Sequence, residues 1–415
     1  MSLKMRLGRS WGRLGMISNW KTCQLGELVT FTSGGTPSKK KAEYWNGSIP
    51  WISAKTMKDE HISTSDLMIS EEGLKNRSRL APQGSILFLI RGSGLFNGIP
   101  ICLVDKPVAF NQDVKCINSI SEIENKYVFY WLLSQASTLS AIVGVTTIGA
   151  GKFDMDVIKR LEISYPEKEV RNEIIRIADA ISDKIRLNTA INENLEQQAQ
   201  ALFKAWFVDF EPFGGVMPDD WIECILDSMC SLIIKGITPK YNEHSAQLVI
   251  NQKCVRNHQI DLSLARCHEP KKVNEKWLQY GDIVVNSTGT GTLGRAAQVL
   301  FTPNNMTVDS HVTIIRASKQ EYIYYLGLWA TSHEHDFEML QTGSTGQTDL
   351  PRERLKQMQI VLPSDSILSS FSKVIKPIAD IRIQKQQENQ RLSALRDTLL
   401  PKLMNGEIDV SAVQV

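Results

Sequence analysis

Short apolar runs closed by glycine recur along the chain. "GSILFLIRGSG" (84–94) and "GDIVVNSTGTG" (281–291) are β-rich and end in glycines, which predicts a buried strand entering a tight turn in each. "PVAFNQDVKCI" (107–117) and "MTVDSHVTII" (306–315) alternate apolar and polar positions like further strands. "YVFYWLLSQAS" (127–137) and "YIYYLGLWATS" (322–332) predict buried helices, and "LEISYP" and "MQIVLP" are strands stopped by Pro166 and Pro363. Beyond each proline the period changes. Positions 174, 177, 181, 184, 188, 191, 195, 198 and 202 hold Ile, Ile, Ile, Lys, Asn, Ile, Leu, Gln and Leu. Positions 371, 374, 378, 381, 385, 388, 392, 395 and 399 hold Phe, Val, Ile, Ile, Lys, Glu, Leu, Leu and Leu. Spacing that alternates three and four is a coiled-coil seam. Lys184/Asn188 and Lys385/Glu388 interrupt each seam near its middle, so two antiparallel helices would bring polar groups together and fix the register. Pro377 lies inside the second pattern and predicts a kink or break there.

The order of elements repeats. A shift of 197 residues matches Gly84 with Gly281, Ile86 with Ile283, Gly92 with Gly289 and Gly94 with Gly291. It also matches Tyr127 with Tyr324, Gly149 with Gly346, Ile163 with Ile360, Pro166 with Pro363, Leu195 with Leu392 and Leu202 with Leu399. Near the start the copies drift, and Trp20 pairs best with Trp221. So long a period is a duplicated unit, one domain plus one helix, and not a solenoid. The expected fold is α+β: two pseudo-repeated mixed α/β domains separated by two long helices in an antiparallel coiled coil. The expected division is an N-terminal extension (1–19), a first domain (20–165), a central spacer helix with an aromatic boundary (166–212), a second domain (213–363), a C-terminal spacer helix (364–403) and a tail (404–415).

Composition narrows the class. A chain of 415 residues exceeds what one core usually supports. Hydrophobic content of 42% and charged content of 22% are ordinary for a globular protein, and a net charge of +2 leaves any basic surface to local patches. The longest apolar run, "ILFLI" (86–90), is far too short to span a bilayer as a helix. The basic opening "MSLKMRLGRSWGRLGMISNW" lacks an apolar signal region and reads as an extension, with Met16 a natural start. Seven cysteines without framework spacing point to a reducing cytoplasm.

"LFKAWFVDFEPFGG" (202–215) concentrates Phe203, Trp206, Phe207, Phe210 and Phe213 where the first helix meets the second domain. One reading is a plug where helix, linker and domain pack. The other is a docking surface, with Phe203 and Trp206 inward and Phe207 or Phe210 exposed.

Together with "LGELVTFTSGGTPSKKKAEYWNGSIPWIS" (25–53) and "LRDTLLPKLMNGEIDV" (395–410), that stretch resembles the specificity subunit of bacterial and archaeal type I restriction–modification systems. The helix entries "YPEKEVRNEI" (165–174) and "LPSDSILSSFSKVI" (362–375) are similar to that family's, although its usual glutamine before the helix is absent from both. The likeness spans nearly the whole chain from about residue 18. It implies a subunit without catalysis of its own or cofactors. Each domain would read half of a split double-stranded DNA target, and the helices would set the gap. Two methyltransferase subunits would dock at Phe203, Trp206, Phe207 and Phe210 and, at the pseudo-equivalent end, at Leu399, Leu400 and Leu403. Restriction subunits would join through that methyltransferase core.

The chain's own chemistry fits that reading. It has no Asn-Pro-Pro-Tyr/Phe motif for a flipped base and no phosphate loop with Lys-Ser/Thr. "GTGTLG" (289–294) matches G-x-G-x-x-G, but "RAAQVLF" after it returns to strand-like sequence, so a β-turn or a glycine loop near DNA competes with a nucleotide site. Cys254, His258, Cys267 and His268 lack zinc-knuckle spacing. Metal ligands are not expected. Duplex binding needs cations at phosphates, and sequence reading needs amides, hydroxyls and Arg at base edges. The candidates are Thr36, Ser38, Lys39, Lys40 and Lys41 in the opening loop, Arg91 and Arg295 at glycine turns, and Asn111, Gln112 and His311 between strands. Lys152, Thr345 and Gln347 in matched polar loops complete the set. Two alternatives stand beside DNA reading: a coiled-coil scaffold that binds only protein, and a nucleotide-binding enzyme using 289–294. A half-site reader that dimerises conflicts with the full repeat.

Overall fold

The computed structural model describes residues 20–147, 149–269, 273–343 and 348–410. They form two compact units. One runs up to Arg186 and resumes at Gln390; the other is Leu187–Asn389.

The first unit is built on a five-stranded sheet of β1 (Val29–Ser33), β2 (His61–Ile62), β3 (Ile86–Leu89), β4 (Ile101–Val104) and β5 (Val114–Ser119), in the order β1-β5-β3-β4-β2. β5 runs antiparallel to both β1 and β3. All four residues of β3 are buried, as a central strand covered on both faces requires. The helix Asn125–Ser134 packs into the same core, and its Tyr127 hydroxyl donates to the Ser164 carbonyl at 3.0 Å.

The second unit repeats the plan with β6 (Cys230–Lys235), β7 (Ile283–Asn286), β8 (Ala296–Gln298) and β9 (Val312–Ala317), ordered β6-β9-β7-β8. Its buried helix is Ile323–Ser332. Here Tyr325, not Tyr324, donates to the Val361 carbonyl, at 2.6 Å. Tyr127 therefore corresponds to Tyr325, and the offset between the copies is locally one larger than the Tyr127/Tyr324 match gave. A β-bulge between Cys230 and Leu232 adds another residue near the start. Gly35 N donates to Phe110 O and Ile237 N to Val308 O, each at 2.9 Å, so Thr36-Pro37 is equivalent to Thr238-Pro239.

Two 40-residue helices follow the domains, α1 (Lys168–Phe207) and α2 (Asp365–Met404). In the first unit Ile174, Ile177 and Ala178 of α1 share a core with Leu400, Leu403 and Met404 of α2. In the second, Asn188 Nδ2 donates to Glu388 Oε2 and Asn389 Oδ1, both at 3.0 Å, and Glu196 pairs with Arg382. Rising numbers on one helix against falling numbers on the other make the pair antiparallel. The polar layer forms around Asn188, which is fully buried.

The buried stripe leaves the expected seam in places. Gln198 is exposed and Ala199 buried; Val374 and Ile381 are 42% and 43% exposed, while Ile375 is buried and Arg382 half-buried. A straight helix of 3.6 residues per turn drifts against a 3.5 repeat, and here the stripe slips by one residue. Pro377 does not interrupt α2 either. It sits on an exposed face with Lys373, whose carbonyl is the one that loses its helical donor.

Candidate nucleic-acid interface

In the first unit, sheet order brings several chain segments to one edge. β1 ends at Ser33 opposite Lys115 near the start of β5, and β3 ends at Leu89 opposite Val114. Gly34 turns the chain there against the other strands. A Cβ on it would lie 2.1 Å from the Phe110 carbonyl oxygen, so no other residue fits. Ile90 N donates to Asp113 O at 2.8 Å, and Phe153 N to Ile90 O at 3.0 Å, which pulls the 151–153 segment in beside them. The edge therefore gathers Thr36, Arg91, Asn111, Gln112 and Lys152.

Their roles differ. Asn111 is only 7% exposed and closes a turn: its Oδ1 accepts from Asp113 N at 3.0 Å. It is thus placed as a structural residue. Gln112 is exposed, with its Oε1 accepting from Thr36 Oγ1 at 2.7 Å and its Nε2 donating to Asp113 Oδ2 at 3.3 Å. Arg91 and Lys152 are exposed and lie directly opposite one another across two strands. Like charges so placed repel, and a phosphate between them would relieve the repulsion. Lys115 beside Ser33 has its ammonium held below the usual lysine range by burial and by the charge of Lys159. Ser38, Lys39, Lys40 and Lys41 are all exposed; Lys41 also pairs with Glu43 at 3.4 Å and lies over the Tyr44 ring.

The second unit presents the same edge with other side chains. Gly236 takes the place of Gly34, and a Cβ on it would lie 2.1 Å from Val308 O. The Asx turn is now made by Asp309, whose Oδ1 accepts from His311 N at 2.9 Å. His311 thus stands opposite Asp113, not opposite Asn111 and Gln112; Ser310 replaces Gln112. His311 is exposed, with its Nδ1 2.8 Å from Thr288 Oγ1. Thr288 bridges Asp349, the pair equivalent to Arg91 and Lys152, and Asp349 is ion-paired with Lys235. Arg295 turns back on its own loop and donates to Gly291 O at 2.7 Å. Thr345 and Gln347 lie outside the described residues.

Sequence reasoning missed Asp113, Thr238, Thr288 and Asp349. The repeated Thr-Pro dipeptide was the available signal, hidden because the bulge changes the offset. The remaining singled-out motifs are occupied structurally. The 289–294 glycines form a closed turn, with Leu293 N donating to Gly289 O at 3.0 Å, and lead into β8 instead of a helix. His258 contacts Glu196 and Glu334, whereas His268 is buried against the Glu269 carbonyl.

The aromatic stretch packs largely inward. Phe203 and Phe207 are buried; Trp206, Phe210 and Phe213 are partly buried against the same core. Phe207 lies 4.7 Å from both Tyr325 and Phe371, and Phe213 5.1 Å from Trp221. Phe210 adopts φ 54°, the left-handed turn that folds the chain back. Val208, 55% exposed, is the large hydrophobic side chain that the stretch shows to solvent. At the other helix end, Leu400 and Leu403 are buried and Leu399 partly so.

Residues 17–197 match the family model of the type I restriction modification DNA specificity domain. Over those residues the chain is similar to the type I specificity subunits. It is 26% identical to the type I restriction enzyme MjaIX specificity subunit of Methanocaldococcus jannaschii over 94% of each chain. It is 33% identical to the EcoR124I/EcoR124II specificity subunit of Escherichia coli over 44% of each. The crystal structure of a type I restriction–modification S subunit from M. genitalium shares the fold, with a TM-score of 0.55 at 16% identity, covering 94% of this chain and 97% of that one. That likeness implies recognition of a DNA target. No described helix is long and apolar enough to cross a membrane.

Proposed function

We propose that the chain is a cytoplasmic, non-catalytic DNA reader that recognises a bipartite duplex target and brings methyltransferase and restriction subunits to it. One observation carries the bipartite reading. Two equivalent edges, each held by a glycine pressed on a carbonyl, display different chemistry: Arg91/Lys152 and Gln112 in one, Thr288/Asp349 and Ser310 in the other. One scaffold with two sets of side chains suits two different half-sites. The recognition domains are 20–165 and 213–363, with 166–212 and 364–403 as spacers. Phosphates fall to Arg91, Lys152 and Lys39–Lys41, and base edges to Gln112 and His311. Two methyltransferase subunits dock at the ends of α1 and α2, on the surface around Val208 and Leu399, since Phe203, Phe207, Leu400 and Leu403 are spent inside the chain. Restriction subunits join through them.

The test is methylation-sensitive sequencing of DNA from cells carrying the chain with its partner subunits. The expected product is one split, asymmetric motif. A continuous motif, or methylation without sequence preference, would refute the bipartite reading. Transfer of labelled methyl groups by the purified chain alone would refute the absence of catalysis.

A further inference from the structure

Gln112 is an exposed side chain whose hydrogen-bonding polarity the fold dictates. A carboxylate only accepts, so the Gln112 atom facing Asp113 Oδ2 is the amide nitrogen, which donates at 3.3 Å. The oxygen then lies on the other side, where the Thr36 hydroxyl donates to it at 2.7 Å. Each of those contacts uses half of what the amide offers. One N–H and one oxygen lone pair remain, side by side and in fixed order, on a residue exposed at the edge. The supports are themselves fixed: Asn111 is buried and holds Asp113 through both backbone and side chain, and Gly34–Gly35 pin Thr36 against Phe110.

Resting on the DNA-reading function proposed above, we infer that Gln112 reads one adenine of the half-site recognised by the first unit, through the major groove. The free Nε2–H donates to adenine N7, and adenine N6–H donates to Oε1. Adenine alone presents an acceptor next to a donor in that order; guanine puts the acceptor O6 where Oε1 would meet it. A free amide could rotate to suit other edges, but rotation here would set its oxygen against the Asp113 carboxylate. Asp113 and Thr36 are therefore positioning residues. Ser310, the equivalent in the second unit, has a hydroxyl that suits either kind of group, so the constraint belongs to one half-site.

The experiment uses the chain in complex with its methyltransferase subunits and competition binding to duplexes carrying the methylated target. Each adenine of the target is replaced in turn by 7-deazaadenine, which lacks the N7 acceptor. Wild type should lose roughly 5- to 150-fold in affinity at one adenine of one half-site. Gln112→Ala should show no added loss there, and its methylated motif should accept other bases at that position while the other half-site stays unchanged. Gln112→Leu, which has no polar side-chain atom, provides a second variant with the same expectation. Equal losses in wild type and both variants at every adenine would overturn the assignment of Gln112 while leaving DNA reading intact. Absence of sequence-selective binding by the wild-type complex would overturn both.

Discussion

A pH-dependent latch in the second unit can be tested quantitatively. The hairpin of Val255–Arg256 with Gln259–Ile260 turns through Asn257 and His258, both at positive φ, which places the His258 ring at its tip. His258 Nδ1 lies 2.9 Å from Glu196 on α1, and Nε2 lies 3.7 Å from Glu334. Arg382 of α2 faces Glu196 from the other side. Burial alone would lower the histidine's pKa, but the two carboxylates outweigh it and raise the value from 6.5 to about 9. That difference corresponds to about 3 kcal/mol favouring the closed arrangement. Because the folded value lies above the unfolded one, this stability is complete below about pH 6.5 and is lost as pH rises through about 9. Hydrogen exchange followed by mass spectrometry, corrected for intrinsic base catalysis, reads local opening in segments 196–203 and 254–262. The opening free energy should fall by up to about 3 kcal/mol across that window in the wild type and much less in His258→Gln. If the two proteins ran parallel from pH 6.5 to 9, the ion triad would contribute nothing and the reasoning would fail.

Other outcomes follow from individual contacts. Arg171 is 2% exposed and donates to Glu124, Pro166 O and Glu122 O, so Arg171→Met should destabilise the first unit by about 3–5 kcal/mol, seen as loss of exchange protection in that unit. Gly236→Ala drives a Cβ onto Val308 O and should relax one half-site in methylation sequencing while the other is still read. A four-residue insertion in α1 alone would put Asn188 and Glu196 out of step with Asn389 and Arg382. Matched insertions after residue 186 in α1 and residue 389 in α2 keep the pairing, add about 6 Å, and should lengthen the target's gap by about two base pairs, as methylation sequencing would show.

Much of the architecture was legible in the sequence because it depends on period. Runs such as 86–89 and 283–286, the two antiparallel helices and the duplicated order all follow from local apolar patterning. What escaped depends on contacts between distant residues. The bulge after Cys230 shifted the alignment, so the second Thr-Pro and the true partner of His311 went unseen. Arg295 stands at the glycine turn where the sequence put it, but only the structure shows that its guanidinium returns to Gly291 O. Of the two readings of the aromatic stretch, the packed plug is the one its contacts match: the left-handed turn at Phe210 folds the chain back and Phe207 is buried between Tyr325 and Phe371. At the candidate edge, residue types pointed to Arg91, Gln112 and Lys152; only the strand register shows that Arg91 and Lys152 face each other there, and that Asn111 is turned inward.

The central claim is that each unit reads its own half of one DNA target. Replacing residues 220–363 with the corresponding domain of a relative, and sequencing the methylated sites of cells carrying the chimera and its partners, tests it most directly. The account predicts that one half of the motif changes to the donor's sequence while the other half and the gap stay as in the wild type. A change in both halves, or in neither, would contradict it.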